Sequence, residues 1–139
     1  MLGLALGSAL VMAALGIRGV HAGDPKKPEY VSTAVMKRLL SGPLPGVDGK
    51  HITIIQATVP PGWVGGRHYH TGPVYVYVLE GSFTVEEQGK PRQTFRAGDL
   101  YSEPLHTPMQ AFNVSASEPA SILLVQVHAR DEPLMYKAD

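Results

Sequence analysis

Short runs of alternating or continuous apolar residues, each closed by Gly, Pro or Asp, dominate the chain and read as strands rather than helices. The clearest is Val74 to Leu79, where Val alternates with Tyr. Similar runs predict strands at His51 to Val59, Ser82 to Glu87, Arg92 to Phe95 and Ser121 to His128. Turn signals fall between them at Pro60-Pro61-Gly62, Glu80-Gly81, Gln88-Gly89 and Ala97-Gly98-Asp99. Tyr30 to Leu40 fits two patterns, since Val31, Thr33 and Val35 alternate while Val35, Leu39 and Leu40 also share a helical face. The strand is favoured. Several short strands at this spacing predict a closed all-β sandwich or barrel.

The chain's first residues differ in character. Leu2 to Ile17 are apolar or small throughout, and Val20-His21-Ala22 supplies small residues at the positions read by signal peptidase. A signal peptide over residues 1–22 is expected, with a periplasmic or secreted product that no membrane retains. No Lys or Arg precedes the run, which departs from the usual signal and leaves a retained anchor as the weaker alternative. Residues 23–139 are then one domain, with a barrel core over about residues 50–128. Asp24 to Glu29 reads as a flexible lead-in, and Arg130 to Asp139 as a surface extension.

Composition narrows the chemistry. The 15 Gly and 12 Pro favour turns between strands. Twelve Lys and Arg balance twelve Asp and Glu, so no electrostatic footprint for nucleic acid or an anionic membrane is present. Cysteine is absent, so any metal must be held by His, Met or oxygen donors.

The candidate chemistry centres on His68-Tyr69-His70. Side chains two apart on extended backbone face the same side, so these two imidazoles can converge on one ion. Taken alone the pattern is weak, because such pairs are often solvent-facing. Its surroundings change the odds: Gly62, five intervening residues, the His-x-His and then Gly81 resemble the first motif of the cupin superfamily. Gly98, Pro104 and Asn113 fall at the spacings of its second motif. The resemblance implies a double-stranded β-helix, a jelly-roll-like antiparallel β-barrel that commonly pairs as a homodimer. It also implies a divalent transition metal (Fe, Mn, Ni, Zn or Cu) bound near a small-molecule ligand.

The departures from these motifs bear on the ligand set, which in metal-binding cupins is two His and a Glu from the first motif and a His from the second. Val74 stands at the Glu position and Met109 at the final His position, while His106 lies three residues before Met109. Three readings follow. His106 completes a three-His site with His68 and His70; or Met109 is the third ligand and favours copper; or Met109 fills the core and no metal binds. Arg67, Glu103 and Gln110 are candidate pocket residues, Arg67 as a clamp for a substrate carboxylate. Glu103, Gln110 and Gln126 are also possible oxygen or amide donors. His51 and His128 are expected to be structural, and Asp99 to cap its own turn. The function implied is a metal-dependent oxygenase, isomerase or lyase acting on a small molecule. The alternative is a non-catalytic binding protein, either copper-holding through His68, His70 and Met109 or a metal-free receptor.

Overall fold

The computed structural model describes residues 27–139. The signal peptide expected over residues 1–22 and the first part of the lead-in lie outside the described residues. Ten strands are formed: β1 (Val35–Pro43), β2 (Lys50–Val59), β3 (His68–His70), β4 (Val74–Glu80), β5 (Ser82–Glu87), β6 (Gln93–Arg96), β7 (Leu100–Glu103), β8 (Met109–Phe112), β9 (Ala120–Ala129) and β10 (Met135–Lys137). They make two five-stranded sheets, ordered β1-β2-β9-β4-β7 and β10-β3-β8-β5-β6, with antiparallel pairing between neighbouring strands. This is the all-β, double-stranded β-helix architecture that the sequence predicts.

Period-two patterning decides what faces inward. In β4, Val74, Val76 and Val78 are fully buried while Tyr75 and Tyr77 are exposed. The buried valines join Val59, Phe83, Val85, Tyr101, Met109 and Ile122 in one core between the sheets. Burying each such side chain contributes about 1.5–3 kcal/mol. Tyr30 to Leu40 resolves as extended chain, with β1 beginning at Val35 as an edge strand. Val35, Leu39 and Leu40 on that edge are exposed.

Three strands escape the sequence pattern. β7, β8 and β10 have three or four residues each, too few to display a period. The C-terminal segment is not the expected surface extension: β10 pairs with β3, matching Met135 to His70 and Lys137 to His68. The lead-in joins it, as Glu29 bridges Tyr136 and the Tyr30 N–H donates to the Met135 carbonyl (3.1 Å). Both ends of the described chain are therefore tied to the strand that carries the two histidines. Asp99 behaves as predicted, its Oδ2 accepting from the Arg96 N–H at 2.7 Å.

Asn113 closes the loop between β8 and β9. Its Nδ2 donates to the carbonyls of Pro60 (3.1 Å) and Glu118 (2.8 Å), and its Oδ1 accepts from the Ser115 N–H (3.1 Å). The side chain is 1% exposed, so Asn113→Ala strands several backbone groups away from water. Urea unfolding is expected to show a loss of about 2–4 kcal/mol. A change within about 0.5 kcal/mol, as at an ordinary surface site, would refute this role.

Candidate functional site

His68 and His70 both face the interior from β3, as the i, i+2 spacing predicts, and are 7% and 2% exposed. Their rings stand edge to face, with centroids 5.2 Å apart. Each imidazole is oriented through Nδ1. That of His68 donates to the Gly66 carbonyl at 2.8 Å, and that of His70 donates to Gln126 Oε1 at 3.1 Å. The amide of Gln126 is itself fixed, because its Nε2 donates to the Leu134 carbonyl at 2.8 Å. With Nδ1 carrying the proton, Nε2 of each neutral ring is left as the lone-pair donor, the tautomer that metal-ligating histidines adopt.

The third polar group of this cluster is Glu103. Its Oε2 lies 2.8 Å from His70 Nε2, and its Oε1 accepts from the Tyr101 hydroxyl at 3.3 Å. When His70 is doubly protonated its Nε2 donates to this Oε2; when the ring is neutral, Oε2 is buried without a donor. The ladder explains how this carboxylate arrives. Val74 pairs with Glu103 of β7 on one side and with Gln126 of β9 on the other. Directly opposed residues share a face, with Cβ atoms about 4.5–5.5 Å apart. The carboxylate missing at Val74 is thus supplied from the adjacent strand, and the amide from the other.

Charge follows from this burial. For His70, burial favours the neutral ring, but the Glu103 carboxylate outweighs it and holds the pKa above the ordinary 6.5. For Glu103, burial favours the neutral acid, but His70 outweighs it and lowers the pKa. The His68 pKa is lowered, by burial first and by neighbouring His70 second. Burial and then Glu103 push the Tyr101 phenol well above its ordinary value, so it remains a donor.

Of the residues singled out from sequence, His68, His70, Glu103 and Gln126 come together. His106 does not. Its exposed ring stands 6.2 Å from Tyr69, which projects from the opposite face of β3 to the two histidines. The loop turns outward there, with His106 at a φ of 55° and its N–H donating to the His70 carbonyl. Met109 is paired with His68 across the ladder and wholly buried, but it packs in the core and does not line the cavity. Arg67 is exposed, and Gln110 donates to the Gly65 carbonyl at 2.7 Å; neither lines the cavity. His51 is also outside it, and His128 bonds Thr53 at 3.0 Å. Sequence reasoning missed Tyr30, whose ring stacks on His68 at 4.6 Å and 3° and whose hydroxyl accepts from the Gly66 N–H. It opens the Tyr30–Leu40 run, one residue ahead of the alternation of Val31, Thr33 and Val35.

The polar cluster lines part of a cavity of about 60 Å3. The remaining wall is mostly apolar, including Ile55, Val59, Trp63, Phe83, Ile122 and Leu124. Among the described residues no three His, Asp or Glu stand as a ready-made metal cage. The His70–Glu103 pair is in contact, and His68 stands one ring away.

A family model for the cupin domain matches residues 55–126, more than half of the chain. The chain belongs to the cupin family. Solved structures extend the same result to the fold. The DMSP lyase DddQ from Ruegeria pomeroyi superposes with a TM-score of 0.61 at 17% identity, covering 76% of this chain and 51% of its own. This cupin therefore spans about half the length of that lyase. An RmlC-like cupin family protein from Methanocaldococcus jannaschii gives 0.59 at 18%, covering 73% and 92%. A Cupin 2 conserved barrel domain protein from Salinispora arenicola gives 0.55 at 22%, covering 85% and 92%. At these identities the likeness is one of fold. No curated protein matches the chain by sequence.

Proposed function

We propose that this cupin binds a divalent transition metal through His68, His70 and Glu103 and acts there on a small molecule held in the barrel. One observation carries the reading. His70 Nε2 and Glu103 Oε2 are both electron-pair donors, lie 2.8 Å apart, and are sealed from water. Two such atoms repel unless a proton or a metal cation lies between them, and once His70 is neutral a metal is the cation that fits. Nitrogen and oxygen ligands about 2.0–2.2 Å from one ion at neighbouring positions come within about 3 Å of each other. Gln126 and Gly66 act as orienting partners, holding Nδ1 of each ring so that Nε2 faces the site. Tyr101 donates to the carboxylate and keeps it turned toward His70.

When bound, the metal would supply Lewis-acid polarisation of a substrate oxygen, or activation of water or O2, at an open position. Two imidazoles and one carboxylate favour Fe, Mn or Zn over Cu(I), because the oxygen donor is hard and Met109 is not among the residues that line the cavity. The apolar walls exclude water from the polar end and hold the substrate against it. Export of the mature domain remains part of this reading on the strength of the leader sequence. The test is elemental analysis of the purified full chain, with and without His68→Ala. Close to one metal per chain, lost in the variant, is expected; none after reconstitution with Fe2+, Mn2+ and Zn2+ in turn would overturn the proposal.

Acid should oppose this binding. Because Glu103 holds the His70 pKa above 6.5, the ring carries a proton at mildly acidic pH that a metal must displace. Release of up to about one proton per Zn2+ is expected, with affinity rising as pH climbs through the His70 pKa. Calorimetric titration in two buffers of different ionisation enthalpy reads this directly. Uptake without proton release at pH 6 would contradict the assigned role of His70.

A further inference from the structure

We infer that two copies of this chain pair face to face through the outer surface of the sheet β1-β2-β9-β4-β7, about a twofold axis running along β9. That surface lies on the far side of the sheet from the cavity, so the pairing holds whether or not a metal binds. The first observation is what the surface carries. Inward-pointing Thr53, Ile55, Val76, Ile122 and Gln126 alternate with an outward set that the strand register arranges in rows. One row runs Leu40, Ile54, Val125, Tyr75 and Ser102 across all five strands, and the next runs Lys37, Gln56, Leu123, Tyr77 and Leu100. A third adds Gly42, Ile52 and Val127. Lys37, on the edge strand, is the one ionised side chain in these rows. The other sheet shows the ordinary pattern, with Thr84, Glu86, Thr94 and Gln110 facing out and Phe83 and Val85 buried. β9 instead reads Ile122-Leu123-Leu124-Val125-Gln126-Val127 with little alternation, as a strand covered on both faces does.

The second observation is relief, and it selects a second copy as the partner. β9 is the middle strand of the five. To one side the exposed rings of Tyr75 and Tyr77 stand up from β4, while to the other β2 presents only Ile52, Ile54 and Gln56. A half-turn about β9 lays β4 of each copy over β2 of the other, so each Tyr75 falls on an Ile54 and each Tyr77 on a Gln56. Gln56 Nε2 donates to Ser121 Oγ at 3.4 Å, which leaves its Oε1 to accept from the Tyr77 hydroxyl of the second copy. Lys37 stays at the rim in water, and the chain's twelve cationic and twelve anionic side chains cancel, so two copies meet without net repulsion. The third observation is size. Strands about 4.8 Å apart and rows about 6.7 Å apart make a patch of about 400 Å2 in projection on each copy. Pairing hides twice that, and the relief of the tyrosines with Val35 on the edge brings it to the roughly 1,000 Å2 that a specific interface needs.

Sedimentation equilibrium of the full chain is expected to give a dimer with a Kd of about 10 µM or below. Tyr77→Glu buries a carboxylate in each half of the interface and should weaken pairing at least about a hundredfold. Its circular dichroism should remain that of the natural chain, because the side chain is exposed in the single copy. Thr94→Glu, on the other sheet, should leave the dimer intact. Should Tyr77→Glu fail to fold, cross-linking gives the same discrimination, since the natural chain has no cysteine. Leu123→Cys lies on the axis and should be joined to its counterpart by a short bismaleimide, whereas Thr94→Cys should not. A monomer at about 100 µM, a dimer that persists in folded Tyr77→Glu, or cross-linking through Thr94→Cys in place of Leu123→Cys would overturn the inference. A monomer that co-sediments with phosphatidylcholine vesicles would also overturn it and assign the face to lipid.

Discussion

Glu103→Gln is expected to weaken Zn2+ or Mn2+ binding by roughly a hundredfold or more, while the barrel remains folded. Disturbing the partners of metal ligands already costs about 10–100-fold, and this change removes a ligand's charge. Gln keeps the volume and can still accept from Tyr101, and its amide can donate to His70 Nε2, so no buried group is stranded. The same titration should find His106→Ala and Met109→Leu indistinguishable from the natural chain, because one side chain is outside the barrel and the other lies in its core. Retained affinity in Glu103→Gln, or its loss in Met109→Leu, would move the third ligand away from Glu103. Shifting the carboxylate across the rung, with Val74→Glu and Glu103→Val together, should recover part of the affinity, since those positions are paired and share a face.

The second large effect concerns the turn that carries the chain from β3, which bears the two histidines, to β4 in the other sheet. Gly72 lies between β3 and β4, and a Cβ added there would stand 1.7 Å from the Val127 carbonyl oxygen and 2.8 Å from its carbon. Both atoms belong to the backbone of β9, which is paired on each side by β2 and β4 and cannot withdraw. Gly72→Ala is therefore expected to cost about 4 kcal/mol or more, or to prevent folding altogether. Circular dichroism melting of the purified variant checks this. A midpoint within about 2 °C of the natural chain, well under a 1 kcal/mol change, would show that the turn relaxes.

These two positions also show what the sequence could and could not disclose. The barrel was legible because its long strands carry a two-residue period: Val74, Val76 and Val78 announce a buried face, and His68 with His70 announce another. β7, β8 and β10 were not, because three or four residues hold too little pattern and Pro104 and Pro108 interrupt the region. Two of the three expected metal ligands face the interior. His106, the third expected ligand, lies outside the barrel, and the carboxylate beside His70 comes from a neighbouring strand, which counting along a motif does not anticipate. Val74 flanked by Glu103 and Gln126 is such a case, and only the register reveals it. Arg67 was weighed by nearness in sequence to the histidines and Gln110 by its donor chemistry, but the cavity selects by the face of the sheet, and both are outside it.

Tyr30 marks a different limit. It reaches His68 from 38 positions away in sequence, through pairing of the lead-in with β10. Neither segment has a pattern of its own, since each is held by what it packs against.

The most direct measurement is an anomalous difference map, collected at the zinc edge from crystals of the full chain grown with Zn2+. One peak per chain is predicted, about 2.0–2.2 Å from Nε2 of His68, Nε2 of His70 and a carboxylate oxygen of Glu103. A peak at His106 or elsewhere on the surface, with none between His70 and Glu103, would contradict the account.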